Sequence, residues 1–338
     1  MVVSGSVSQT RNNEQFYENS AIFISVSNNR KPMQIFDSHA LECLAAIVEE
    51  GSFDRAASRL SITQSAVSQR LRTLEMQAGA VLIVRTRPLK ATSAGRYLLK
   101  HALQLRLLRA DLDRDLQALA PRESHSAQGQ ERMAIAVNAD SIATWVLPAL
   151  QALGKAGMAL EIITDDQDFT HEWLREGQVQ GCVTALAKPL RGCQVVQLGV
   201  MDYVAVASPA YAQAHFPAGL TAHALRNMSF LAFNRKDDLQ ARFVRKACGL
   251  KTPGLQQNFL PSAHGRVRAA MDGWGATVVP LLQVQALLQS GQLCDLAPTV
   301  RLPVALYWHC WKLESVLLQS LTDALRRGAT AALAATSK

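Results

Sequence analysis

The sequence predicts an α+β multidomain chain, helical through its first third and α/β from residue 132 onward. Three observations lead there. From Asp37 to about Leu119 apolar residues recur at helical spacing, broken by polar punctuation at Gly51-Ser52, Ser61 and Gly79. Beyond Met133, short apolar strands alternate with amphipathic helices, a pattern that builds a largely parallel sheet. Between the two lies 121–131, rich in Pro, Ser, Gln and Glu, which reads as a hinge. At 338 residues the chain is also too long for one ordinary core, so two or three lobes are expected.

Residues 1–32 are rich in Ser, Asn and Gln without sustained periodicity and are expected to form a disordered extension, with Met33 a candidate start. The first helix is capped by Asp37 or Ser38 and buries Leu41, Leu44, Ala45 and Val48. The segment Ala56 to Glu75 then reads as two helices across a turn at Ser61–Thr63. Small Ala56 and Ala57 allow close approach, and Leu60, Ile62, Val67, Leu71 and Leu74 supply the core between them. The second helix begins near Gln64 and presents Gln64, Ser65, Ser68, Gln69 and Arg72 away from that core. Amide, hydroxyl and guanidinium groups read base edges and clamp phosphates in a major groove.

Charge placement supports this use. Between Arg55 and Arg96 lie Arg55, Arg59, Arg70, Arg72, Arg85, Arg87, Lys90 and Arg96 against the single acid Glu75, within a chain of net charge +8. Such an excess suits a polyanion and makes binding salt-dependent. Leu82 to Gly95 forms a wing that projects Arg85, Arg87 and Lys90. The DNA-contacting set expected for double-stranded DNA is therefore Thr63, Gln64, Ser65, Ser68, Gln69, Arg70, Arg72, Arg85, Arg87 and Lys90, on a winged helix-turn-helix over 33–95.

Thr92 caps a long linker helix over 92–120, in which Leu98, Ala102, Leu105, Leu112, Leu116 and Leu119 fall at alternating spacings of four and three, with Arg109 alone interrupting. The stripe favours self-association as a dimer over packing within one domain, although packing on its own domain produces much the same pattern. The six cysteines, Cys43, Cys182, Cys193, Cys248, Cys294 and Cys310, form no C-x-x-C pair and no cluster with histidine at metal-ligand spacing. No metal or cofactor is expected, and the thiols read as reduced in a cytoplasmic protein. No apolar run approaches the roughly 20 residues of a membrane-spanning helix, and no membrane partner is expected.

Residues from about Phe36 to Gly95 resemble the DNA-binding domain of LysR-type regulators. They share the Gly51-Ser52-Phe53 turn, Ala56-Ala57, Leu60, Thr63 to Ser68, Leu74-Glu75, Leu82, Arg85, Thr92 and Ala94-Gly95; Ile83 stands where phenylalanine is usual. The remainder is similar to the branch of that family that controls arginine and lysine export, through Ala136 to Trp145, Leu147 to Leu150, Asp202-Tyr203 and Leu306 to His309, with Asn234 where that branch carries Asp.

The resemblance implies an effector-binding domain over 132–332 with two lobes, like a type 2 periplasmic binding protein. Lobe one takes 132–201 and 265–332, and lobe two takes 202–264. It further implies assembly to a tetramer and contact with RNA polymerase. At the mouth of the cleft, Asn138, Asp140, Ser141 and Thr144 mark the first strand-to-helix transition, where hydroxyls and helix N–H groups suit a carboxylate. Asp140, Asp165, Asp166, Asp237 and Asp238 supply countercharge for an amino or guanidinium group. With Ser262 at a common cleft position, the effector set is Asn138, Asp140, Ser141, Thr144, Asp166, Asp237 and Ser262, and the effector expected is a basic amino acid, lysine or arginine, with a different small metabolite as the alternative. Asp140-Ser141 can equally serve only as a helix cap, and His309 reads as a core or surface histidine.

An enzyme is not expected: no G-x-S-x-G, P-loop, G-x-G-x-x-G or H-E-x-x-H is present. An enzyme would also leave the basic helical segment unexplained, the lack of a recognisable secretion signal counts against a solute-binding protein, and a DNA-coating protein of low sequence preference would differ in how Gln64, Ser68, Gln69 and Arg72 contribute.

Overall fold

The computed structural model describes residues 35–119, 132–166, 168–251 and 254–334. The extension over 1–32, Met33 and the hinge over 121–131 lie outside them.

The N-terminal unit comprises α1 (Ser38–Glu50), α2 (Phe53–Leu60), α3 (Gln64–Ala78), the antiparallel pair β1 (Ile83–Val84) and β2 (Lys90–Ala91), and α4 (Ser93–Leu119). Asp37 caps α1 by accepting from the Ala40 N–H at 3.0 Å. Between α2 and α3 the chain reverses at Ser61, which adopts a left-handed φ of 54° while Ile62 N donates to Ala57 O at 3.1 Å. Leu41, Leu44, Ala45, Ile47, Ala56, Ala57, Val67, Leu71 and Leu74 are buried and make one small core.

Thr92 starts α4 and ties it to the wing. Its hydroxyl accepts from Gly95 N at 3.0 Å and donates to Val81 O at 2.7 Å. Gly95 is required here, because a Cβ at that position would lie 2.1 Å from the Leu82 carbonyl oxygen. Glu75, the lone acid of the basic stretch, is structural: its carboxylate accepts from Leu82 N at 2.8 Å.

The C-terminal unit begins with β3 (Met133–Asn138). A continuous helical run follows: α5 (Ala139–Ser141), a π-helical turn over Ile142–Val146, and α6 (Leu147–Lys155). Next come β4 (Leu160–Asp165), α7 (Thr170–Arg175), β5 (Gly181–Thr184) and the long β6 (Cys193–Ala207). The second half supplies α8 (Pro209–His215), β7 (Ser229–Ala232), α9 (Leu239–Cys248), β8 (Gln256–Phe259) and α10 (Ala263–Met271). It ends with β9 (Ala276–Pro280), α11 (Leu281–Gln289), β10 (Cys294–Asp295), β11 (Leu302–Trp311) and α12 (Val316–Ala332).

These strands form one nine-stranded mixed sheet in the order β4-β3-β5-β11-β6-β9-β7-β8, with β10 paired to β6. Its flanks are parallel, as the alternating pattern suggests: β3 pairs with β4 and β5, and β7 with β8 and β9. Its centre is antiparallel, because β6 and β11 run against each other through both lobes. The expected return to lobe one after residue 264 is corrected by this topology. Strand β9 pairs with β7 and with the far end of β6, so α10, β9, α11 and β10 stay with lobe two and the chain re-enters lobe one along β11.

The C-terminal unit docks on α4 of the same chain. Buried Asp111 accepts from Leu317 N at 3.3 Å, placing a carboxylate at the N-terminus of α12, where the unpaired N–H groups favour an anion. His309 is buried, with its Nε2 2.6 Å from Leu186 O; burial lowers its pKa and favours the neutral ring. The six cysteines are free thiols, and Cys43, Cys182 and Cys310 are buried. No helix among the described residues is long and apolar enough to cross a membrane.

Candidate DNA interface and effector cleft

Helix α3 starts at Thr63, whose Oγ1 accepts from Ala66 N at 3.2 Å and lies 2.9 Å from Ser65 Oγ. With Val67, Leu71 and Leu74 turned inward, Thr63, Gln64, Ser65, Gln69 and Arg72 are exposed and Ser68 is half-buried. The 3.6-residue period puts these side chains along one ridge. Arg85, Arg87 and Lys90 are exposed on the wing, which Leu89 N anchors to Gly51 O at 3.3 Å.

Arg70 departs from the expected set. It flanks the core on the side opposite Ser68, half-buried, with its Nη1 4.0 Å from Cys43 Sγ of α1. The helical period carries residue 70 away from the ridge that carries 65, 68, 69 and 72. Arg59 and Arg55 also turn back on α1: Arg59 pairs with Glu49 and Glu50, and Arg55 donates to Glu50 O. Their charge is partly consumed within the unit.

The stripe on α4 divides in two. Ala102 is buried with Leu99, Leu103 and Leu107 against the same domain, and Leu98 and Leu105 are half-buried. Arg106 clamps this half by pairing with Glu42 and Glu49 of α1. Farther on, Leu108, Leu112, Leu116 and Leu119 are exposed at 41%, 55%, 53% and 82%. That second half is an apolar ridge with no partner among the described residues.

In the C-terminal unit, a small cavity is lined by Ala139, Asp140, Asp165, Asp166, Phe233, Asp237, Leu239 and Arg266. Lobe one supplies the first four, from the C-terminal ends of β3 and β4, and lobe two supplies the others. This is where ligands enter open α/β sheets. The remaining space is ≈ 10 Å³, about that of one water molecule.

Arg266 fills the space between the lobes. It projects from α10, is 1% exposed, and its Nη2 donates to Asp140 Oδ1 at 2.6 Å. Its Nη1 donates to Val278 O at 3.3 Å and lies 3.9 Å from Asp237 Oδ2. Asp237 is held by its own lobe, accepting from Phe233 N at 2.8 Å and Leu239 N at 3.0 Å. Asn234, where the resembling branch has Asp, completes this turn by accepting from Lys236 N and Asp237 N at 2.7 and 3.2 Å.

Burial penalises charge at Asp140, Tyr203 and Asp166. The Asp140 carboxyl is raised by desolvation, against the opposing pull of Arg266. The Tyr203 phenol beside it is pushed well above its ordinary range by burial and by the Asp140 charge. Asp166 is raised to about 7, chiefly by desolvation and secondarily by Asp237, Asp168 and Asp140, although its Oδ1 accepts from Asp168 N at 2.9 Å.

The expected effector residues thus divide. Asp140, Asp166 and Asp237 converge on the cavity together with Asp165, which accepts from Trp173 Nε1 at 3.1 Å. Asn138 and Ser141 are buried at the adjoining strand-to-helix junction, and the Asn138 amide atoms and Ser141 Oγ have no hydrogen-bond partner among the described residues. Asp140 is an ion-pair partner rather than a helix cap.

Three residues are not brought to the cavity. Thr144 donates back to Asp140 O at 2.7 Å, an i−4 bond that spends its hydroxyl within the helix. Ser262 is exposed and caps α10, accepting from Gly265 N at 3.0 Å. Asp238 is solvated and lies within 4.0 Å of Arg242 and Arg245.

The residue missed from the sequence is Arg266. It did carry a signal: Ala263, Val267 and Ala270 form a buried i, i+4, i+7 stripe, and Arg266 is the one cation on that face.

Residues 38–96 match the bacterial regulatory helix-turn-helix protein model of the lysR family, and residues 126–330 match the LysR substrate binding domain. The chain is 41% identical over 294 residues to the HTH-type transcriptional regulator ArgP of Aeromonas salmonicida, covering 87% of this chain and 96% of that protein. It is likewise 41% identical over 297 residues to LysG of Mycobacterium tuberculosis, covering 87% and 94%. The crystal structure of ArgP from Mycobacterium tuberculosis superposes with a TM-score of 0.77 at 39% identity, covering 90% of this chain and 100% of that one. Full-length LysG from Corynebacterium glutamicum with bound effector Arg does so with a TM-score of 0.65 at 34% identity, covering 88% and 99%. The chain belongs to the LysR family of DNA-binding transcriptional regulators.

Proposed function

We propose that the effector of this regulator is a basic amino acid, lysine or arginine, bound in the cleft between the lobes, and that it controls an amino-acid exporter or metabolic gene. The observation that carries the reading is the charge of the cavity: Asp140, Asp165, Asp166 and Asp237 converge there against the single cation Arg266. An excess of buried carboxyl groups favours a cationic ligand, which recovers the charge-assisted hydrogen bonds that burial denies them. Unpartnered Asn138 and Ser141 suit the polar head of an amino acid. The bound Arg in the Corynebacterium relative supports the same class.

Thr63, Gln64, Ser65, Ser68, Gln69 and Arg72 enter the major groove, with Arg85, Arg87 and Lys90 on flanking phosphates. Two copies pair through the exposed leucine ridge of α4, and dimers assemble to a tetramer. Effector binding changes lobe closure, and with it the spacing imposed on two DNA half-sites and the surface offered to RNA polymerase. The protein acts as a regulator rather than an enzyme, in the cytoplasm where its DNA lies.

The test is binding to DNA from the gene's own upstream region against random DNA at fixed salt, with and without lysine or arginine. Selective binding altered by either amino acid is the expected result. Selective binding indifferent to both discards the basic effector and retains the regulator.

A further inference from the structure

We infer that Arg266 is a built-in stand-in for the effector's cation, a latch that joins the two lobes through Asp140 and that a basic ligand must displace, so that it sets the affinity and specificity of the cleft. Three observations carry this. The guanidinium lies between Asp140 of lobe one and Asp237 of lobe two, at 2.6 and 3.9 Å. It is 1% exposed, and with it in place the cavity keeps only ≈ 10 Å³, too little for any amino acid. Although its Cζ lies 5.9 Å from the centre of the Phe233 ring, its Nε has no hydrogen-bond partner among the described residues, so the seat is imperfectly satisfied by its own side chain.

The chemistry follows from the geometry. A guanidinium in the acid pocket offers the carboxylates what an arginine or lysine side chain would offer, but tethered to α10. Ligand binding is therefore an exchange of one cation for another. Its net gain is the difference between the two rather than the whole worth of a buried ion pair. Leaving the seat, Arg266 releases Asp140 and removes the buried tie between lobes that also meet at the surface through Arg242 and Asp168 at 3.6 Å, which couples cation exchange to lobe movement. Affinity for the effector is therefore lower than the bare pocket would give.

The competition part of this inference rests on the basic-effector reading; the latch itself does not. Two measurements separate them. In calorimetric titration of the full chain, Arg266→Met is expected to bind arginine or lysine roughly tenfold tighter than wild type. In thermal unfolding, Arg266→Ala is expected to be stabilised saturably by millimolar methylguanidinium, which refills the vacated seat, whereas tetramethylammonium, which cannot donate hydrogen bonds, has no such effect. The double variant Arg266→Ala with Asp140→Asn removes both charges, keeps the fold accessible to measurement and should lose the rescue.

If neither amino acid binds wild type or Arg266→Met while rescue of Arg266→Ala persists, the effector reading fails and the latch stands. Weakened or unchanged amino-acid binding by Arg266→Met overturns the competition. Absence of methylguanidinium rescue overturns the latch.

Discussion

Replacing Asp166 by Asn tests whether the cleft stores unfavourable charge. The change is nearly isosteric, and the amide oxygen can still accept from Asp168 N, as Oδ1 does at 2.9 Å. The wild-type carboxyl titrates at about 7 against an ordinary 3.8, mainly through burial. The sign follows from proton counting. Below the unfolded pKa both states are protonated and Asp166 contributes nothing. Between 3.8 and about 7 the folded state holds a proton that the unfolded state has lost, so stability falls as pH rises through that window. Above about 7 both states are ionised and the full penalty applies.

That penalty is the difference in pKa multiplied by 1.36 kcal/mol per unit, about 4 kcal/mol as an upper bound. Asp166→Asn should therefore match wild type near pH 4. It should gain on it by about 1.4 kcal/mol per pH unit and level off above neutrality, with a rise in Tm of roughly 10 °C at pH 8. Thermal or urea unfolding of both proteins across pH 4 to 8 gives the difference directly. A difference independent of pH would refute the reasoning, as would a variant less stable than wild type at pH 8. The same titration makes effector uptake proton-linked: a bound cation draws the Asp166 proton off, so basic amino acids should bind more tightly at pH 8 than at pH 6.

Two further predictions concern the N-terminal half. Gly95→Ala drives a Cβ to 2.1 Å from the Leu82 carbonyl oxygen, backbone that no rotamer change can clear, and should cost about 3 kcal/mol and weaken DNA binding; an unchanged Tm would contradict that close approach. Leu112→Glu with Leu116→Glu, at positions 55% and 53% exposed, should leave monomer stability within about 0.5 kcal/mol while abolishing the dimer in sedimentation. Retention of the dimer mass would place the interface elsewhere.

The helix-turn-helix was legible residue by residue because its determinants are local. Helical period sorts Val67, Leu71 and Leu74 from Gln64, Ser68 and Arg72, and the caps at Asp37, Thr63 and Thr92 are each formed within three residues. Arg70, grouped with that face by its charge, is half-buried on the opposite side of α3. The acids Asp140, Asp166 and Asp237 were legible as candidates because strand ends meet at a cleft. Which polar groups are spent locally was not: Thr144 and Ser262 bond within their own helical turns, at i−4 and at an N-cap.

The amino-acid sequence by itself determined the order of elements, the basic reading face and the acidic character of the cleft, because periodicity, capping and charge act over a few residues. Only the tertiary structure decided which strands cross between lobes and which cation occupies the acids. The antiparallel pairing of β6 with β11 holds α10 and β9 in lobe two. Arg266 and Asp140 lie 126 positions apart, and an ion pair across that separation exists only once the sheet has brought its edges together. A buried arginine and a solvated one are the same letter until the chain closes around one of them.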